Sequence, residues 1–308
     1  MKPFRVLRFG WIIILLFFIG CTGIENATFR CAMSIERTIS GLDVEKTDIE
    51  SHQIAFLDGG NGETVLLVHG FGANKENWLR FSRYLTDDYR VVAIDLPGHG
   101  ESTSEIQSTY DLDSQTARLH QIVEKLSLDR FHLLGSSMGG NITIRYTDRH
   151  PERVITMGLM NAAAVDPPHP SRLQEMLKEG KNPLIIQSPD EFGAMMDFVM
   201  EDPPFIPWPI KRVLARQFAE RRELNEKIFE DIVNSVDLKS ILPSINRPAI
   251  IIWGSHDRVL DVSSVAVLEE LLPNAQSVIL NGVGHAPMIE RPKEVANLYR
   301  DFINNSPH

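Results

Sequence analysis

The serine at the centre of Gly135-Ser136-Ser137-Met138-Gly139, directly after the apolar run Phe131-His132-Leu133-Leu134, constrains this chain more than any other feature. The G-x-S-x-G form places its middle serine on a strained strand-to-helix turn, where small flanking glycines let the backbone reverse sharply and present the hydroxyl. Five residues of common types are a weak pattern alone. The context strengthens it: the preceding run reads as a buried strand, and Gly140-Asn141-Ile142-Thr143-Ile144-Arg145-Tyr146 can open a helix. A nucleophilic serine also needs a base, an orienting acid and donors for an oxyanion. The chain offers candidates for each.

Other apolar runs place that turn on a sheet. Ile49 to Leu57 ends at Asp58-Gly59-Gly60-Asn61-Gly62 as a strand followed by a turn. Thr64 to Val68, Arg90 to Ile94, Val154 to Met160, Pro248 to Trp253 and Ser277 to Leu280 are continuous apolar segments. Runs without alternation, separated by helical patterns, are strands buried on both faces. They predict an α/β fold with a mostly parallel sheet and helices on both faces. Functional loops in such sheets follow the carboxyl ends of the strands. His69-Gly70-Phe71-Gly72, Pro97-Gly98-His99-Gly100, the serine turn, Gly254-Ser255-His256-Asp257 and Gly282-Val283-Gly284-His285 all fall there. The expected core is residues 46–162 and 239–308.

Residues 163–238 differ in character. Proline clusters at Asp166-Pro167-Pro168-His169-Pro170 and Asp202-Pro203-Pro204-Phe205-Ile206-Pro207-Trp208-Pro209 bracket helical patterns, which predicts a helical cap inserted over the strand edge. Met195, Met196, Phe198, Met200, Phe205 and Trp208 can line an apolar channel there. At helical spacing the same residues can equally form the cap's own core.

The N-terminus reads as an export signal. Lys2, Arg5 and Arg8 precede the apolar run Trp11 to Ile19, which ends at Gly20-Cys21 and is short for a membrane span. Phe18-Ile19-Gly20-Cys21 resembles a bacterial lipobox, with Phe18 where Leu is usual. It implies lipidation at Cys21 after removal of residues 1–20, and an uncleaved anchor helix is the alternative. Residues 21–45 show no sustained periodicity and read as a tether. Cys31, the only other cysteine, is then a lone thiol, or the partner of Cys21 if no lipid is added. Either route puts the body outside the cytoplasm, tethered to a membrane. A net charge of −10 argues against nucleic acid as a partner.

Among ten histidines, position selects the base. His285 follows the last strand, and the chain order serine, aspartate, histidine favours it over His69 and His99, which precede the serine. Asp257 and Asp261 compete as the acid. Asp261 stands just before Val262-Ser263-Ser264-Val265, where capping a helix explains it better, so Asp257 is chosen. Asn161 ends the fourth apolar run and, as an amide, carries no charge. The backbone N–H groups of Phe71 and Met138 are the expected oxyanion donors, and both residues are expected to line the substrate pocket with Phe205 and Trp208. No H-E-x-x-H spacing and no phosphate-loop lysine occurs, so no metal or cofactor is expected.

From about residue 50 onward these motifs resemble the α/β-hydrolases, in particular their lipase and monoacylglycerol-lipase group. Trp253 to Val262 is especially similar to membrane-anchored monoacylglycerol lipases. The resemblance implies a capped ester hydrolase acting on a lipid ester, above all a monoacylglycerol, without a cofactor. Two rivals stand beside it. One is another reaction on the same scaffold, such as carbon–carbon bond hydrolysis or cleavage of a small ester. The other is a binding or receptor protein of negligible turnover.

Overall fold

The computed structural model describes residues 7–50, 52–233 and 238–307, with side chains from residue 22 onward. Eight strands form one sheet: β1 (Asp43–Ile49), β2 (His52–Gly59), β3 (Thr64–Val68), β4 (Arg90–Ile94), β5 (Phe131–Ser136), β6 (Val154–Met160), β7 (Ala249–Gly254) and β8 (Ala275–Leu280). Their order is β1-β2-β4-β3-β5-β6-β7-β8. β1 and β2 join antiparallel and every other pairing beyond β2–β4 is parallel, with Leu66 of β3 opposite both Val92 and Leu133. The expected mostly parallel sheet is therefore observed.

Continuous apolar runs have the reason given above. Leu66, Val68, Val92, Ile94, Leu133 and Ile251 point into one core, while Val65, Leu67, Val91, Ala93, Leu134 and Ile250 point into another across the sheet. Both faces need cover, so neither can be polar. The first face packs against α3 (Leu112–Lys125), α4 (Met138–Arg149) and α9 (Ser264–Leu271), through Leu119, Ile122, Ile142 and Leu268. The second packs against α2 (Leu79–Ser82), α10 (Pro287–Glu290) and α11 (Pro292–Asn305), through Leu79, Phe81, Met288, Tyr299 and Phe302.

Among the described residues four α-helices intervene between β6 and β7, in the segment expected as a cap: α5 (Arg172–Lys178), α6 (Phe192–Val199), α7 (Trp208–Glu220) and α8 (Arg222–Val233). They carry a small core of their own, in which Ile186, Phe192, Met195 and Ala215 are buried. Residues 234–237, near the expected end of the cap, lie outside the described residues.

The tether expected over residues 21–45 is corrected. α1 (Leu7–Ile39) runs through residues 22–39, and β1 follows. The helix escaped a search for apolar periodicity because much of its buried side is ionic. Glu25, 3 % exposed, holds Arg216 at 2.6 Å and Arg212 at 3.3 Å, both on α7. Arg37 pairs with Glu76, and Ser40 donates to the Leu79 carbonyl at 2.8 Å. Cys31 is an exposed free thiol. Residues 1–6 and the side chain of Cys21, where an export leader and a lipidation site are expected from the sequence, lie outside the described residues. Among the described residues no helix is long and apolar enough to cross a membrane.

Candidate active site

β5 is buried along its whole length and delivers its last residue to a turn at Ser137, which takes φ +53°, ψ −118°. That region is costly for a residue with a Cβ and is held only where surroundings over-determine it. Here Ser137 N–H donates to the Met160 carbonyl at 3.0 Å, and its carbonyl accepts from Gly140 at 2.9 Å and Ala163 at 3.2 Å. The flanking glycines are required by space. A Cβ on Gly135 would lie 2.1 Å from the Gly139 carbonyl oxygen, and one on Gly139 would lie 2.3 Å from that of Val68. α4 can start this close to β3 only because both lack side chains.

The turn leaves Met138 as the first residue of α4, so its N–H has no carbonyl one turn back. The His69-Gly70-Phe71-Gly72 loop passes directly alongside: a Cβ on Gly70 would come within 2.9 Å of the Ser137 Cβ. His69 fixes that loop. Its Nε2 accepts from Leu96 N–H at 3.1 Å, so Nδ1 carries the hydrogen and donates to the Gly70 carbonyl at 2.8 Å. Burial pushes the His69 pKa down and keeps it in this neutral form. Among the described residues no protein acceptor meets the N–H of Phe71 or Met138. An α-helix N-terminus and a rigid loop amide beside one serine can bind a developing oxyanion. The Phe71 ring lies edge-on to Phe229 of α8, 5.4 Å between centroids.

The neighbouring Pro97-Gly98-His99-Gly100 loop hangs on a buried ion pair. Asp95 accepts from Lys75 Nζ at 2.9 Å, Lys75 N–H at 2.7 Å and Glu101 N–H at 2.8 Å. His99 packs on His69 with ring centroids 4.8 Å apart. Burial, then the neighbouring His69 and Arg221, push its pKa well down.

Across the sheet edge, His285 Nδ1 stands 2.8 Å from Asp257 Oδ2, with the Asp257 side chain fully buried and that of His285 11 % exposed. Asp257 is held on every side. Oδ1 accepts the N–H groups of Val259 at 2.8 Å and Leu260 at 3.0 Å, and Oδ2 accepts Asn161 Nδ2 at 2.6 Å. With the imidazole, four donors converge on this one buried carboxylate. With Asp257 as acceptor, Nδ1 of His285 carries the hydrogen and Nε2 keeps a lone pair, as a general base requires.

The structure thus joins Asp257 to His285 and lays the Phe71 loop beside Ser137. Asp261 instead accepts from Ser263 N–H at 2.9 Å, in the turn before α9. Of the expected channel residues, Met195 and Met200 are buried in protein cores. Phe205 and Trp208 are on the surface, 86 % and 63 % exposed, with the Trp208 ring under the Arg212 guanidinium at 5.0 Å. Sequence reasoning did not find Asn161 as a hydrogen-bond partner of Asp257. Its position at the end of β6, opposite the β7 loop, was the available signal.

Sheet order, the strained serine turn and the loops gathered on one edge define an α/β-hydrolase. Residues 65–298 match the alpha/beta hydrolase family, and the chain belongs to it. It is 34% identical over 295 residues to Lipase 1 of Psychrobacter immobilis, covering 92% of each chain. It is 31% identical over 282 residues to the monoacylglycerol lipase ABHD6 of Mus musculus, covering 87% of this chain and 84% of that one. A solved membrane phospholipase A, described as a bacterial virulence factor, superposes with a TM-score of 0.92 at 38% identity over 97% of this chain and 99% of that one. These relationships make the chain a carboxylic-ester hydrolase of the lipase and esterase group.

Proposed function

We propose that this chain is an exported, membrane-tethered serine hydrolase that cleaves acyl glycerols, with monoacylglycerols and similar single-chain lipid esters preferred. The observation that carries the chemistry is the 2.8 Å His285–Asp257 pair on the same sheet edge as the strained Ser137 turn. Ser137 Oγ attacks the ester carbonyl and its proton passes to His285 Nε2. Asp257 stabilises the imidazolium, and the N–H groups of Phe71 and Met138 hold the tetrahedral oxyanion. Collapse of the intermediate expels the alcohol, which takes the proton from His285. Water activated by the same imidazole then attacks the acyl-enzyme and releases the fatty acid.

The substrate class draws its support from relatives named as a lipase, a monoacylglycerol lipase and a phospholipase A. The exposed apolar Phe205 and Trp208 of the cap are the proposed rim of an acyl entry. The tether is supported by the basic and apolar leader ending at Cys21, whose acylation would hold the body at a lipid surface. The test is hydrolysis by residues 22–308 of mono-, di- and triacylglycerols, diacyl phospholipids and short p-nitrophenyl esters. The highest kcat/KM is expected on long-chain monoacylglycerols. Faster cleavage of triacylglycerols or phospholipids would overturn the substrate preference, and no ester cleavage would overturn the whole reading.

A further inference from the structure

The loop that carries His285 is bonded to the cap through a buried carboxylate that the hydrolytic chemistry does not use. Glu290, at the end of α10, is 8 % exposed. Its Oε1 lies 3.0 Å from Gly284 N, and its Oε2 lies 3.1 Å from the same atom. Oε2 also accepts the successive amides of Glu201 and Asp202, each at 2.9 Å. The cap segment after α6 and the base loop therefore share one acceptor.

Neighbouring contacts tighten the same joint. His285 N–H donates to the Val199 carbonyl at 2.8 Å. A Cβ on Gly284 would lie 2.7 Å from Glu201 N and 2.9 Å from Met200 Cα, so the two segments touch backbone to backbone. On the acid side, Arg258 follows Asp257 and donates to the carbonyls of Asp197 at 3.2 Å and Met200 at 3.3 Å, besides pairing with Glu201. Residues 197–202 thus brace both the acid loop and the base loop. Filling space alone would be served by an apolar side chain. A buried carboxylate is tolerated only where several donors converge on it, and those donors then have fixed places.

We propose that Glu290 is a positioning residue, which sets the His285 imidazole against Asp257 by clamping Gly284 to cap residues Glu201 and Asp202. The inference rests on the Ser137–His285–Asp257 reading above. It makes the cap part of the catalytic frame as well as a cover: when the clamp loosens, the base loses its angle to the acid while the acyl site is unchanged.

The test uses the full chain carrying Glu290→Ala or Glu290→Gln, with p-nitrophenyl butyrate as the ester. Glu290→Ala is expected to lower kcat on the order of 10²-fold, as for a misplaced catalytic group, with KM held within about twofold. Glu290→Gln keeps one acceptor oxygen and should recover part of the lost kcat; it decides the matter alone if the alanine variant does not fold. A KM that rises as much as kcat falls, or a kcat that falls only with the fraction of folded protein, would overturn the proposal. His285→Ala and Asp257→Asn are measured alongside. If either keeps wild-type kcat, the triad reading and this proposal both fail. If both are inactive and the Glu290 variants are normal, the positioning role alone fails.

Discussion

Two aspartates four positions apart have different partners, and that difference predicts different consequences. Asp257 holds His285 Nδ1, whereas Asp261 holds a turn amide ahead of α9. Asp257→Asn should leave the fold intact and cost on the order of 10⁴ in kcat, because the amide no longer enforces the Nδ1–H form of the imidazole. Asp261→Ala should cost about 1 kcal/mol of stability with little kinetic effect. Steady-state kinetics and thermal unfolding on both variants check this, and the reverse pattern would exchange their roles. His99 makes a pH prediction. Its pKa is held well below the ordinary 6.5 by burial, so the unfolded chain binds a proton that the folded chain refuses. Stability from this group is therefore complete above about pH 7 and is lost as pH falls below about 6.5, by up to about 1.4 kcal/mol per pH unit. His69 adds to the same slope. Tm should fall between pH 7 and pH 5, and His99→Gln should flatten that fall. An unchanged slope in the variant would contradict the assignment.

At the scale of elements, β3 to β7 could be read in the sequence because burial on both faces leaves an unmistakable apolar run. The serine turn was legible for a related reason: Gly135 and Gly139 are forced by backbone contact. Elements stabilised by charge were not. β1 has the pattern Asp-Val-Glu-Lys-Thr-Asp-Ile with only Ile49 buried, which suits an edge strand and carries no apolar run. The helix over residues 22–39 hides its contacts in Glu25 and Arg37. The Glu290 clamp was equally unreadable, since its partners are backbone amides from a segment 89 positions earlier. In the cap, the proposed acyl rim is made by the exposed Phe205 and Trp208. Trp208→Ala should lower kcat/KM for long-chain monoacylglycerols by about fourfold or more, the value of one buried methylene, and leave p-nitrophenyl acetate nearly unchanged. Equal loss on both esters would mean damage to the fold or the chemistry.

For the whole molecule, the N-terminal helix is both the route to the proposed anchor and a structural part of the body. Mass spectrometry of membrane-extracted protein should find an N-terminus at Cys21 bearing acyl chains, and an intact residue 1–20 segment would contradict that. A chain beginning at Thr22 should be soluble and active because it keeps the Glu25 and Arg37 contacts, whereas one beginning at Gly41 should show a lower Tm. The proposed catalytic frame is likewise drawn from distant parts: the β5 turn, the loop after β3, the loops after β7 and β8, and the cap segment that braces the last two. The central claim is that Ser137 is the nucleophile of this frame. Its most direct test is a fluorophosphonate probe followed by peptide mapping of the labelled residue. The wild type should carry the probe on Ser137 and Ser137→Ala should carry none, with a loss of at least about 10³ in kcat. Label on another residue, or undiminished labelling of the variant, would contradict the account.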